Sequence, residues 1–479
     1  MTALPHPLRL AACLSAALAL SPPANAAVRT VINCNDAGAG SLRAAVASAA
    51  ATGDTVVFDT GQMGCSTITL TSGQIVVDAQ EIVVQGPGAG LLTINGNNGV
   101  TASRIFFDSV DGPGGYSRKL TIGGLTIANG FGYGSSASDT VRGGCILASG
   151  DVTLSGTVVT GCTVTNSGGQ AAGGAIWASS LHMDSSTISG NDVFAVQDSA
   201  TIGGGAYVRG QVTIRSSTIS NNRTHGQQAV TGPGVGGGLA SFGAAAGDVQ
   251  IAFSTITGNS ADFGGGIYLA NGTPVRTITI DHSTIAGNQA YLSAGAIHLS
   301  DHSSNATTRI LDSTISGNTS SYFIGGVYNY GALTVSNSSI VFNSAQSSLD
   351  NPAASGLFTT AATLQSTLIA KNTDYGQPAD LGGDASMLGS KNLIMATLAG
   401  TTAPPGTLTA DPLLGALANN GGPTQTRALL NGSPAIGTGN NLAHLASDQR
   451  GPGFARSTAG KTDIGAFQTG DGIFYGGFD

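Results

Sequence analysis

Carboxylates and imidazoles are few in this chain, so chemistry has to be sought where they gather. Asp281, His282 and Asp312 form the densest group. Asp281 and Asp312 precede Ile285 and Ile315 by four and three residues in successive copies of a repeated segment, with His282 beside Asp281. Two carboxylates and an imidazole are the groups that general acid–base cleavage of a glycosidic bond uses, which makes these three the catalytic candidates. Polar residues in exposed turns are the competing account. Asp184 holds the same place as Asp281, but two copies lie between them. At about 4.8 Å per stacked strand the two would stand about 14 Å apart, beyond the roughly 6.5–9.5 Å of an inverting pair. His298, Asp301 and His302 are close in sequence but fall in a Ser/Asn-rich stretch read as a loop, so no metal site is expected. Trp177, Tyr207, Tyr268 and Tyr328 sit at Gly-Gly elements of separate copies. Aromatic rings in one column can stack on sugars; packing on the wall of the fold is the alternative.

The elements that carry these residues are repeats. Ser186-Thr187-Ile188-Ser189-Gly190-Asn191 returns at 217–222, 254–259, 283–288 and 313–318, with weaker copies ending at Cys162, Asn343 and Asn372. The end positions are 25 to 37 residues apart. A second element precedes each copy, as Gly173-Gly174-Ala175-Ile176 or Gly265-Gly266-Ile267-Tyr268, and a short strand such as Ile278-Thr279-Ile280 lies between. Strands this short find partners only by stacking unit on unit, which buries one continuous core. Val, Ile and Thr suit the pleated surface, Gly-Asn suits a turn with positive φ, and Asn repeated at one place can form an amide ladder from coil to coil. The expected fold is all-β, a single-stranded right-handed parallel β-helix of roughly a dozen coils, about 55 Å long. An amphipathic face, Leu42, Ala45, Val46 and Ala49, with Ser41 as N-cap, predicts a short N-terminal capping helix over about 41–51.

Composition agrees. The chain has 73 Gly in 479 residues and only 9% charged residues, against about 7% Gly and about 25% charge in an average soluble chain. Glu81 is the only glutamate. Helix surfaces have little to be made of, while 41% apolar residues can build a core. The net charge of −8, without a basic cluster, disfavours nucleic acid and anionic membrane as partners.

Arg9, the apolar run Leu10–Leu20 and Ala24-Asn25-Ala26 read as a secretory leader over 1–26. Its apolar run is too short for a transmembrane helix, and no other segment is long enough. Export leaves Cys34, Cys65, Cys145 and Cys162, which implies two disulfides. Three pairings are open. Cys34–Cys65 and Cys145–Cys162 are favoured as near neighbours in sequence, and free buried thiols are the alternative.

The Gly-Gly-Ala-Ile and Ser-Thr-Ile-Ser-Gly-Asn elements resemble the β-helix repeats of bacterial surface proteins of the polymorphic outer-membrane-protein type, over about 115–375. Asp36 to Arg43 with Asp54 to Phe58 resembles the N-terminal cap of secreted β-helix proteins. Asp411-Pro412-Leu413-Leu414, Asn420-Gly421-Gly422-Pro423, Asp448-Gln449-Arg450-Gly451 and Asp463-Ile464-Gly465-Ala466-Phe467 resemble a choice-of-anchor C-terminal region. These likenesses imply a leader over 1–26, an N-terminal cap over 27–60, β-helix repeats over 61–391, an anchor-like or capping region over 392–468 and a tail over 469–479. They imply a secreted or outer-surface protein that acts by binding or adhesion, to carbohydrate or a cell-surface partner, as a monomer and without a cofactor. The same architecture also carries pectate-lyase-like lyases and glycoside hydrolases, so cleavage in a groove is the alternative, with Ca²⁺ only in the lyase case. A structural spacer is a third reading.

Overall fold

The structure, a computed structural model, describes residues 26–49, 53–98, 103–108, 118–136, 140–195, 199–225, 232–243, 247–270, 276–300, 307–347, 353–383 and 385–470. Residues 1–25 and 471–479, where the leader and the end of the tail are expected, and Asp301 and His302 lie outside these residues.

The chain winds into a parallel β-helix with three sheets. One coil shows the pattern. Ile176–Ala178 and Ser180–Asp184 lie in sheet I, of 22 strands; Thr187–Ser189 lies in sheet II, of 12 strands; Asp192–Ala195 and Thr201–Ile202 lie in sheet III, of 14 strands. Strands pair in parallel with their counterparts one coil on, as Ile188 with Ile219 and Ile219 with Ile256, until sheet III ends in the antiparallel pair Thr373–Asp374 and Gln377–Pro378. The repeated Ile of sheet II therefore forms one column, fully buried at Ile188, Ile219, Ile256, Ile285, Ile315, Ile340 and Ile369.

Two side-chain ladders hold the turns that flank this column. The Asn191 amide donates to Asn222 Oδ1 at 2.8 Å, and the pattern continues through Asn259, Asn288, Asn318, Asn343 and Asn372 at 2.9 Å. Each Oδ1 also accepts the backbone N–H of the preceding ladder residue, as Asn222 N–H to Asn259 Oδ1 at 3.0 Å. The second amide proton goes to a carbonyl, as Asn222 Nδ2 to Ile188 O at 3.0 Å. Every polar atom of a buried Asn is thus met, which makes its burial tolerable. Asp380 ends the ladder, accepting from Asn372 Nδ2 at 2.8 Å. On the other flank Ser186, Ser217, Ser254, Ser283 and Ser313 take the backbone N–H of the coil before.

Two glycine positions show why Gly is abundant. Gly190 turns the chain between sheets II and III at φ 64°. A Cβ on Gly174 would meet the Gly204 carbonyl at 2.0 Å, so successive coils approach through bare backbone.

At the N-terminal end the helix Leu42–Ala47 buries Leu42, Ala45 and Val46, and the Ser41 hydroxyl accepts from Ala44 N–H at 3.2 Å. It lies against strands Val28–Val31, Asp54–Phe58 and Ile75–Val77. Disulfides join Cys34 to Cys65 and Cys145 to Cys162.

The C-terminal region folds back along the coils. Strands Leu414–Ala418 and Thr426–Leu429 form an antiparallel hairpin, and the chain then runs over the outside of sheet II. Thr284–Ala286, Thr314–Ser316, Ser339–Val341 and Leu368–Ala370 are buried on both faces, whereas Thr187–Ser189, Thr218–Ser220 and Thr255–Thr257 keep half-exposed outer residues. Among the described residues no helix is long and apolar enough to cross a membrane.

Candidate functional site

The catalytic candidates do come together, beneath the C-terminal region. Asp281 pairs in register with Leu311, and Asp312 follows it. His282 and Asp312 occupy the sheet I–II turn in adjacent coils, both with positive φ, 48° and 35°. His282 Nδ1 contacts Asp281 Oδ1 at 2.6 Å, and its Nε2 lies 3.1 Å from Ser447 Oγ and 3.9 Å from Asp312 Oδ2. Arg456 donates to Asp312 Oδ1 at 2.9 Å, and neither side chain is exposed. Burial pushes the Asp312 carboxyl up to about 7, against the pull of Arg456 and His282. Burial alone would lower His282, but the hydrogen bond and charge of Asp281, with Asp312 and Asp448, raise it overall.

Ser447, His282 and Asp281 have the order of a nucleophile, base and orienting acid. However, His282 is buried, and Phe253 covers its ring at 4.6 Å. A sugar chain has no route to Asp312. The cluster ties the C-terminal region to the coils. Asp184 and Asp281 are joined through Arg215 and Ala252 in three coil steps, as their spacing implied.

The aromatic candidates form a column on the outer face of sheet I. Trp177 pairs with Tyr207, Tyr207 with Ala240, Ala240 with Tyr268, Tyr268 with His298, His298 with Tyr328 and Tyr328 with Phe358. The rings stack on one another: Tyr268 on His298 at 5.1 Å, His298 on Tyr328 at 4.7 Å and Tyr328 on Phe358 at 5.5 Å. Trp177 is buried, with the Arg142 and Arg209 guanidinium groups 5.0 and 4.8 Å from its ring. Rings whose faces meet each other, or arginine, leave little for a sugar to lie on. Packing on the wall holds this column together, with Tyr207, Tyr268 and Tyr328 left half-exposed.

A different surface is open to a ligand. On sheet III the residues one and three places after each ladder Asn face the surface, as Asp192 and Phe194, Arg223 and His225, Ser260, and Gln289 and Tyr291, with Asp262 set deeper. Strand pairing aligns Asp192 with Arg223, Arg223 with Ser260, and Ser260 with Gln289. Between these coils lies a cleft of about 220 Å³, lined among others by Arg223, His225, Ser260, Asp262, Gln289 and Tyr291. Asp192 holds His225 Nε2 at 2.9 Å, and Phe194 meets the His225 ring edge at 6.0 Å. Tyr291 packs edge-on to the exposed Tyr322 at 5.2 Å. Asp262 is buried at the register shift between Ala261 and Phe263; it accepts from Gly234 N–H at 2.7 Å, and burial raises its pKa. The cleft offers a guanidinium, an amide, the Asp262 carboxyl, an imidazole held by Asp192 from beside it and the Tyr291 phenol ring across successive coils. Hydrogen bonds in the plane of a sugar and an aromatic edge beside it are what such a set supplies. The repeat reading passed over these residues because they differ from coil to coil; counting outward from each Asn would have found them.

Among the described residues no three His, Cys, Asp or Glu side chains gather as metal ligands.

No family model matches the chain, and no curated protein matches it. The solved structures include one described as the crystal structure of pectate lyase Pel9A, which aligns at a TM-score of 0.41 and 12% identity over 93% of this chain and 97% of that one. The strand pairing itself defines the class of protein as the parallel β-helix, and the likeness to surface-protein repeats and anchor regions is one of motifs.

Proposed function

We propose that this is an exported β-helix protein, secreted or attached at the outer surface, that binds carbohydrate in the sheet III cleft. The observation that carries the reading is the outward row Asp192, Arg223, Ser260 and Gln289 beside His225, Asp262 and Tyr291. The two carboxylates oppose an acidic sugar, so a neutral polysaccharide is the expected ligand. The two disulfides fit an oxidising compartment. Attachment through the C-terminal region, by a means other than a membrane helix, and a monomeric state belong to the same reading.

Cleavage is the second reading, and Asp262 favours it: a buried carboxyl with a raised pKa at the floor of a cleft is a candidate general acid. Incubating the mature chain with neutral and acidic polysaccharides, with and without Ca²⁺, and assaying both retention and new chain ends tests the two together. Retention without new ends is expected. New ends that vanish in Asp262→Asn would establish cleavage, and neither retention nor new ends would leave the spacer reading.

A further inference from the structure

We infer that a second cleft, at the corner where sheet III turns into sheet I, binds a small neutral aromatic molecule bearing a hydrogen-bond acceptor oxygen. The cleft is about 410 Å³, and its lining includes Phe263, His298, Phe323, Ile324, Phe358 and Leu398, with no Asp, Glu, Lys or Arg among its walls. That size lies within the usual range for small-molecule sites.

Two independent features show that the cleft departs from the repeat. The first is His298. In a column where the neighbouring coils carry Tyr268 and Tyr328, this coil carries an imidazole. The ring is 8% exposed, and its Nδ1 is buried with no hydrogen-bond partner. A buried lone pair without a partner costs less than a buried N–H without one, so the ring proton belongs on Nε2. Burial lowers the pKa to about 3, so the ring is neutral and donates one N–H. It can hold a carbonyl or hydroxyl oxygen; it cannot balance a carboxylate.

The second is the turn that precedes the column. In earlier coils this turn has Gly at positive φ: Gly173, Gly203, Gly236 and Gly264. Around the cleft the same place is taken by Ala294, at φ 61°, and Ile324, at φ 53°. A β-branched residue in the left-handed region is strained by about 1–3 kcal/mol. Glycine serves the turn at no such cost elsewhere in this chain. Ile324 instead puts an apolar side chain on the cleft wall. Strain kept where the repeat does not need it is the pattern of a binding site.

Acetophenone, a neutral aryl ketone, is a suitable probe, with benzoate as its charged counterpart. Titration followed by calorimetry and by the imidazole signals of the labelled mature chain should show acetophenone binding and shifting His298, while benzoate binds at least tenfold more weakly. His298→Phe keeps the aromatic stack and removes the donor; affinity should fall about fivefold, the loss of one hydrogen bond. Ile324→Gly, which removes an apolar wall of the cleft, should weaken binding. Equal binding of acetophenone and benzoate, unchanged affinity in His298→Phe, or absence of acetophenone binding at millimolar concentration would overturn the inference. No residue lines both clefts, although strands Ser260–Phe263 and Gln289–Ser293 contribute to each, so neutral-glycan binding in the sheet III cleft should be unchanged in His298→Phe.

Discussion

Arg456 Nη1 donates to Asp312 Oδ1 at 2.9 Å across 144 residues of sequence, and both side chains are fully buried. Arg456 also reaches the Gly465 carbonyl at 2.9 Å and the Asp463 carbonyl at 3.1 Å. One guanidinium thus gathers the C-terminal region and fastens it to the coils. Gln449 does the same for Thr314 and Thr284, and Asn440 for Ser366 and Asn337.

Arg456→Ala is expected to be severe. It leaves Asp312 buried without its partner, which costs about 3–5 kcal/mol. Urea unfolding of the mature chain should show that loss, and limited proteolysis should cut first within 412–470. Replacing both partners with apolar residues of like volume should recover much of the loss. Full stability in Arg456→Ala would contradict the role given to this pair.

The same cluster predicts a pH dependence. The Asp312 carboxyl stands at about 7, above its ordinary 3.8, so the folded state binds its proton more tightly than the unfolded chain. Its contribution is present at low pH and is lost as pH rises from about 4 through 7. His282, raised above 6.5 by Asp281, Asp312 and Asp448, contributes fully below 6.5 and loses that contribution as pH climbs through its folded value. Asp36 acts the other way. Its folded pKa is about 2, so its contribution is present above 3.8 and lost only as pH falls toward 2. His298, whose folded pKa is about 3, works in the direction of Asp36, losing stability as pH falls below 6.5. The test is therefore the difference between chains: Asp312→Asn should flatten the loss of stability with rising pH between pH 4 and 7. An identical pH profile in wild type and Asp312→Asn would contradict this assignment.

The Asn ladder gives a second stability test. Asn259→Ala removes the acceptor of both the Asn222 backbone N–H and its amide, and the donor to Ile219 O. Two buried donors lose their acceptor, so the cost should be about 3 kcal/mol, since each unmet buried group costs about 1–3 kcal/mol. Asn221→Gly, in the exposed turn beside the ladder at φ 55°, should instead be neutral or stabilising by up to about 1 kcal/mol. Chemical denaturation of the two variants separates ladder from turn.

Cys162 stands where other coils have the ladder Asn; its backbone N–H donates to Asn191 Oδ1 at 2.9 Å, and its sulfur joins Cys145 across 17 residues. A closed loop of this size is worth about 3 kcal/mol. Cys145→Ser with Cys162→Ser should lower stability by about that amount, read as a fall in the urea midpoint. Reducing agent should leave that double variant's Cys145–Cys162 region unchanged while still acting on Cys34–Cys65.

The coils, the Ile column and the amide ladder were legible because each repeats a local rule: one residue type at one place, every coil. The fold-back of the C-terminal region was not, because Arg456 and Asp312, or Ser447 and His282, meet without any periodicity to connect them. The nearness of Asp281, His282 and Asp312 was legible from their places in adjacent coils, yet the chain that covers them lies more than 130 residues downstream. The aromatic column was legible as a column; that its rings would face each other depended on side-chain packing. The sheet III cleft was hidden for the opposite reason, because Asp192, Arg223, Ser260 and Gln289 share a position and no common type.

The central claim, that the sheet III cleft binds a neutral glycan, is tested most directly by calorimetric titration of wild type, Arg223→Ala and Tyr291→Ala with neutral and uronate-containing oligosaccharides. The account predicts binding of a neutral oligosaccharide, weakened tenfold or more by Arg223→Ala through the loss of a charged hydrogen bond of about 1.5–3 kcal/mol. Tyr291→Ala should weaken it about fivefold through the loss of ring contact, about 0.5–1.5 kcal/mol. Glycan binding that neither substitution changes, or preference for the uronate series, would contradict it.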